Sequence, residues 1–166
     1  LGIFASGNGS NARAIAQAIE DGKLNAKIAL IVSNHSEAGV LEFARQKSIP
    51  HAHIASENYD HKDEFNRHII DVLSRHGVAL IVLAGYMKKI GLPLIQAYPD
   101  RILNIHPALL PSFGGKGMYG HHVHEAVLAY GAKITGVTVH LVDPEYDHGP
   151  IVMQKAIEVT NDDTPE

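Results

Sequence analysis

Short apolar runs alternate with longer amphipathic stretches along the first two-thirds of this chain, and that alternation restricts its fold more than any other feature. Gly2 to Ala5, Ile28 to Val32, Val78 to Ala84 and Ile102 to His106 have the length and apolar content of buried strands, and His51 to Ile54 is a shorter candidate. Between them lie helical patterns. Asn11 to Asp21 carries Ala14, Ile15, Ala18 and Ile19 on one face, and Gly39 to Lys47 stops before Pro50. Tyr59 to Arg75 carries Phe65, Ile69, Ile70, Val72 and Leu73 and ends at Gly77, and Pro93 to Tyr98 is a short helix. Strands joined through helices predict a mainly parallel, doubly wound α/β sheet. The last third differs. After a Gly-rich loop at 112–120 and a helix from His122 to Tyr130, Ile134 to Val142 and Ile151 to Val159 are strands joined too closely for a crossover, so they are antiparallel.

At 166 residues the chain is expected to form one domain, residues 1–166, without staples. With no Cys, neither a disulfide nor a thiolate metal site is possible, and a reducing cytoplasmic location is allowed. A net charge of -4 with 14 basic residues gives no sign of nucleic-acid binding, which leaves small molecules as the expected partners. The apolar runs fall short of the ~18 residues of a membrane span, and the start lacks a signal or transit pattern. Leu1 is not an initiator Met, so preceding residues are expected, and Thr164-Pro165-Glu166 reads as the start of a carboxyl-terminal helix that is then missing.

Chemistry concentrates in Leu103-Asn104-Ile105-His106-Pro107-Ala108-Leu109-Leu110-Pro111 and Asp147-His148-Gly149-Pro150. Strand side chains alternate faces, so Asn104 and His106 share one, and Pro107 stops the strand beside them. An amide can donate to a developing oxyanion and an imidazole can move protons, as acyl transfer to an amine requires. Asp147 completes the set if the chain folds back over the strand, since a nearby carboxylate favours imidazolium. Taken alone, Asp147 also reads as a turn-former and His106 as a structural histidine. Ser6-Gly7-Asn8-Gly9-Ser10-Asn11 suits a phosphate cradle at a helix amino terminus, or an ordinary tight turn capped by Ser10 or Asn11. His121, His122 and His124 lack the spacing of a metalloprotease and read as a loop-to-helix junction. Lys88, Lys89 and the run Lys62-Asp63-Glu64 read as solvated charge.

These stretches, with Leu83-Ala84-Gly85-Tyr86-Met87, resemble the phosphoribosylglycinamide formyltransferase family in order and spacing along essentially the whole chain. The Asn-Ile-His-Pro block alone is shared with methionyl-tRNA formyltransferase and formyltetrahydrofolate deformylase; the glycine turn favours the enzyme whose substrate carries a phosphate. The resemblance implies a Rossmann-like fold and attack by the amine of glycinamide ribonucleotide on the formyl group of 10-formyltetrahydrofolate, a step of purine synthesis that uses no metal. It implies that Gly9, Ser10 and Asn11 contact the ribonucleotide phosphate, and that Lys62, Met87, Lys88, Lys89, Ile90 and Asn104 contact the folate. His106 is then the proton donor and Asp147 the carboxylate that raises its pKa. The amino-terminal half is assigned to the ribonucleotide and the carboxyl-terminal half to folate and catalysis, in a monomer or homodimer. Lys88 replaces an Arg common in the family, and its fork is lost. The rivals are a deformylase using the same three residues on water, and a folate- or nucleotide-binding module without turnover.

Overall fold

The computed structural model describes residues 1–165. Glu166, part of the helix start read at Thr164, lies outside them, and Thr164 and Pro165 are not helical. Two compact units divide the chain, Leu1–Ile102 and Leu103 onward.

The first unit runs β1 (Gly2–Phe4), α1 (Ser10–Glu20), β2 (Leu30–Ser33), α2 (Gly39–Gln46), β3 (His51–His53), a 3-10 turn (Ser56–Asn58), α3 (Lys62–Arg75), β4 (Ile81–Leu83) and α4 (Leu92–Ala97). Its strands are parallel in the order β3-β2-β1-β4. The helical connections step outward from β1 to β3, and α3 then carries the chain back past β1 to β4. With the right-handed connections that parallel strands take, that reversal puts α1 and α2 on one face and α3 on the other, the doubly wound arrangement, whose ligand crevice lies at the carboxyl ends of β1 and β4. Ile3, Phe4, Leu30, Ile31, Val32 and Ile81 are fully buried, which is why these strands read as unbroken apolar runs.

The strands are shorter than their apolar runs. β4 spans Ile81–Leu83 rather than Val78 to Ala84 because its partner β1 offers three residues to pair with, and Val78 packs beside Gly2 instead. β2 starts at Leu30 rather than Ile28, and α3 starts at Lys62 because the 3-10 turn and an extended Tyr59 occupy the segment before it.

The second unit takes in β5 (Ile102–His106) from Leu103, α5 (His121–Tyr130), β6 (Ile134–Leu141) and β7 (Ile151–Glu158). Both pairings are antiparallel, and a bulge interrupts the second between Val139 and His140. α5 ends at Gly131 in the left-handed conformation. Its Val123 and Val127 bury against Ala108, with Phe113 and Met118 packed alongside.

Candidate active site

In the second unit, β5 register sets the chemistry. Asn104 lies opposite His140 and His106 opposite Thr138, so the four side chains share one face of the strand pair. Buried Thr138 fixes the turn after β5: its hydroxyl donates to the Ala108 carbonyl at 2.6 Å and accepts from the Leu110 amide at 3.0 Å. The chain leaving β6 then turns back and places Asp147 over the same face. Asp147 Oδ1 lies 3.4 Å from Asn104 Nδ2, 3.6 Å from His106 Nδ1 and 3.7 Å from His140 Nε2, while Oδ2 accepts from the Gly115 amide at 2.9 Å. Two of the three residues singled out in the sequence, Asn104 and His106, therefore converge on a carboxylate oxygen of the third, Asp147.

His140 is the member that sequence reasoning missed. Alternation along β6 puts it on the face of Thr138, but only the register against β5 sets it beside Asn104. Its Nδ1 contacts the Leu141 carbonyl at 2.8 Å, and a carbonyl can only accept, so the proton sits on Nδ1. Nε2 is then free to accept from the Asn104 amide at 3.0 Å. The same logic applied to His106 puts a proton on Nε2, which contacts the Phe113 carbonyl at 2.8 Å, and turns Nδ1 toward Asp147. The loop at 112–120 thus meets the site twice, through Phe113 and Gly115.

The charge on His106, which the sequence leaves open, is governed first by burial. Burial, at 2% exposure, is the strongest influence and lowers its pKa; Asp147 and the Phe113 carbonyl raise it but do not compensate, and His140 lowers it further. Asp147 acts in the expected direction, yet the net position is below the ordinary value. For Asp147 itself, burial pulls upward, and His140, the Gly115 amide and His106 together outweigh it, leaving the carboxyl below its usual range.

In the first unit, one hydroxyl links the segments that follow β1, β2 and β4. Ser6 Oγ donates to buried Asn34 Oδ1 at 2.6 Å and accepts from the Met87 amide at 2.9 Å, and the Ser6 amide donates to the Gly85 carbonyl at 3.0 Å. The loop of Gly9, Ser10 and Asn11 is thereby joined to the loop of Met87, Lys88, Lys89 and Ile90. Gly9, not Ser10 or Asn11, is the cap of α1; it is left-handed with φ 73, and no side chain caps the helix, so the first-turn amides of Ser10 and Asn11 have no capping acceptor. Lys88 is not simply solvated, since its Nζ pairs with Glu57 Oε1 at 2.6 Å. Ile90 is buried, half-exposed Met87 offers its thioether side chain, and Lys62 stands exposed at the start of α3. His122 is ion-paired with Glu125, and His121 packs against His124.

Residues 1–166 match the family described as formyl transferase. This chain belongs to that family. A formyl transferase from Arabidopsis thaliana, named phosphoribosylglycinamide formyltransferase, chloroplastic, is 47% identical over all of this chain and 57% of its own length. One from Bacillus subtilis, named phosphoribosylglycinamide formyltransferase, is 44% identical over 99% of this chain and 82% of its own. The crystal structure of phosphoribosylglycinamide formyltransferase from Bacillus halodurans superposes with a TM-score of 0.91 at 38% identity, covering 99% of this chain and 82% of that one. The chain thus spans little more than half the length of the Arabidopsis relative, and most of the bacterial ones.

Proposed function

We propose that this chain transfers the formyl group of 10-formyltetrahydrofolate to the primary amine of glycinamide ribonucleotide, in purine synthesis. The observation that carries the reading is the convergence of Asn104 and His106 on Asp147 Oδ1. The family match and the names of the relatives support the choice of substrates.

The amine nitrogen forms a bond to the formyl carbon, whose oxygen becomes an oxyanion. Asn104 Nδ2 donates to that oxygen, exchanging its longer 3.4 Å contact with Asp147 for a stronger acceptor while keeping the 3.0 Å contact with His140. The bond from the formyl carbon to the folate nitrogen then breaks. The attacking amine loses a proton and the departing folate nitrogen gains one, and His106 is the carrier. Burial keeps its resting imidazole mainly neutral near pH 7, so Asp147 serves to stabilise the imidazolium formed transiently when Nδ1 takes up a proton. The uncapped amino terminus of α1 receives the ribonucleotide phosphate on the amides near Gly9, Ser10 and Asn11. Met87 to Ile90, Lys62 and Asn104 contact the folate, and Lys88 does so after release from Glu57 or through its backbone.

Incubating the protein with 10-formyltetrahydrofolate, with and without glycinamide ribonucleotide, tests the reading. Loss of the formyl group only when the amine is present is the expected result. Equal loss without it would make the protein a hydrolase, and no loss in either case a binding module.

A further inference from the structure

Asp147 has a positive φ of 52, a left-handed conformation that a residue with a Cβ rarely adopts, so the surrounding structure must hold it there. The loop that carries it is tied at its neck by one side chain. Asp143 Oδ1 accepts from the Glu145 amide at 2.8 Å, and its Oδ2 accepts from His148 Nδ1 at 2.6 Å. The residue just after Asp147 thus reaches back to the residue that begins the loop. Below this tie the Leu141 amide donates to the Pro150 carbonyl at 2.9 Å, and Gly149 presses on the Leu141 carbonyl so closely that any Cβ would collide with it. The neck cannot slide, and the tie between Asp143 and His148 closes the loop above it.

We propose that His148 is a positioning residue: by binding Asp143 it closes the 143–148 loop and keeps the Asp147 carboxylate over Asn104, His106 and His140. His148 is far too exposed, at 66% of its side chain, to serve by burial. The charged groups facing it are Asp143 and Glu145, both of which favour its protonated form, and His140 faces Asp143 from β6. The tie is strongest when His148 is protonated and weakens, without vanishing, once it is neutral, because Nδ1–H can still donate. The role rests on the function proposed above, and it has a readout that does not.

The experiment compares wild type, His148→Ala, His148→Asn and Asp143→Ala. Asn places an amide nitrogen where His has Nδ1, so it restores the tie without the charge. His148→Ala is expected to lower kcat about two- to fivefold, the range open to an exposed pair, with both KM values nearly unchanged. Asp143→Ala, which also removes the Glu145 contact, is expected to cost more. NMR titration of His106 in the substrate-free protein should show a lower midpoint in both, and a return toward wild type in His148→Asn. If His148→Ala leaves both the His106 midpoint and kcat at wild-type values, or if His148→Asn shows the same losses as His148→Ala, the proposal is overturned. A wild-type protein that transfers no formyl group would instead refute the function, and the His106 midpoints would still decide the role of His148.

Discussion

Asn104 spends its two amide protons on His140 and Asp147, and neither contact is needed to hold β5 in place. Asn104→Ala should therefore leave the melting temperature nearly unchanged while lowering turnover roughly 10²- to 10³-fold, the usual cost of one oxyanion donor. Steady-state kinetics beside a thermal melt would check this; turnover near wild type would remove Asn104 from the chemistry. Asp147→Asn deletes the charge that raises the His106 pKa, against a burial that already lowers it. The His106 midpoint should fall further, and surviving activity should move toward lower pH, where the imidazole can still be protonated. An NMR titration paired with a pH-rate profile reads both, and an unmoved midpoint with activity lost would assign Asp147 to holding the 112–120 loop through Gly115.

At the scale of elements, the two loops of the first unit proposed to meet the substrates share one hydroxyl. Ser6→Ala strips Asn34 and the Met87 amide of a partner at once, a cost of about 1–3 kcal/mol for groups left unsatisfied. The loop from Met87 to Ile90 should loosen, so the KM for the folate should rise more than that for the ribonucleotide, although Ser6 belongs to the turn proposed to bind the ribonucleotide. Equal changes in both KM values would show that the bridge does not couple the loops. Gly9 and Gly7 separate packing from binding on the α1 turn. A Cβ at Gly9 would sit 2.5 Å from Val40 and in a left-handed conformation, whereas at Gly7 it meets nothing within 4 Å. Gly9→Ala should then lower the folding free energy by about 1–3 kcal/mol in chemical denaturation, while Gly7→Ala should unfold near the wild-type midpoint.

For the molecule as a whole, the buried site makes stability depend on pH. His106 binds its proton less well folded than unfolded, so its contribution is complete above the ordinary histidine value of 6.5 and is lost as pH falls toward the lower folded value. Asp147, also lowered, contributes above its ordinary value of 3.8 and loses that contribution only in stronger acid. Melting curves of wild type and His106→Asn between pH 7 and about pH 5 should diverge, with wild type losing stability more steeply. Parallel slopes would mean that His106 is protonated as readily folded as unfolded. Exposed His148 works in the opposite sense, and its pair with Asp143 is too solvated to offset the effect.

Local rules were enough to read much of this protein in its residues. Two-residue alternation put Asn104 and His106 on one face, Pro107 ended their strand, and helix periodicity between apolar runs gave a parallel doubly wound sheet and an antiparallel pair. Each follows from backbone geometry within a dozen residues. What sequence could not supply was register and burial, which arise between segments far apart in the chain. The three-residue length of β1 set the ends of β4, and Val40 of α2 fixed the identity of Gly9. His140 entered the site through one alignment of β6 on β5, and no pattern along β6 distinguishes that alignment from a neighbouring one. The lowered pKa of His106 was equally out of reach: the carboxylate that raises it is visible as Asp147, but the desolvation that prevails is a property of the packed interior.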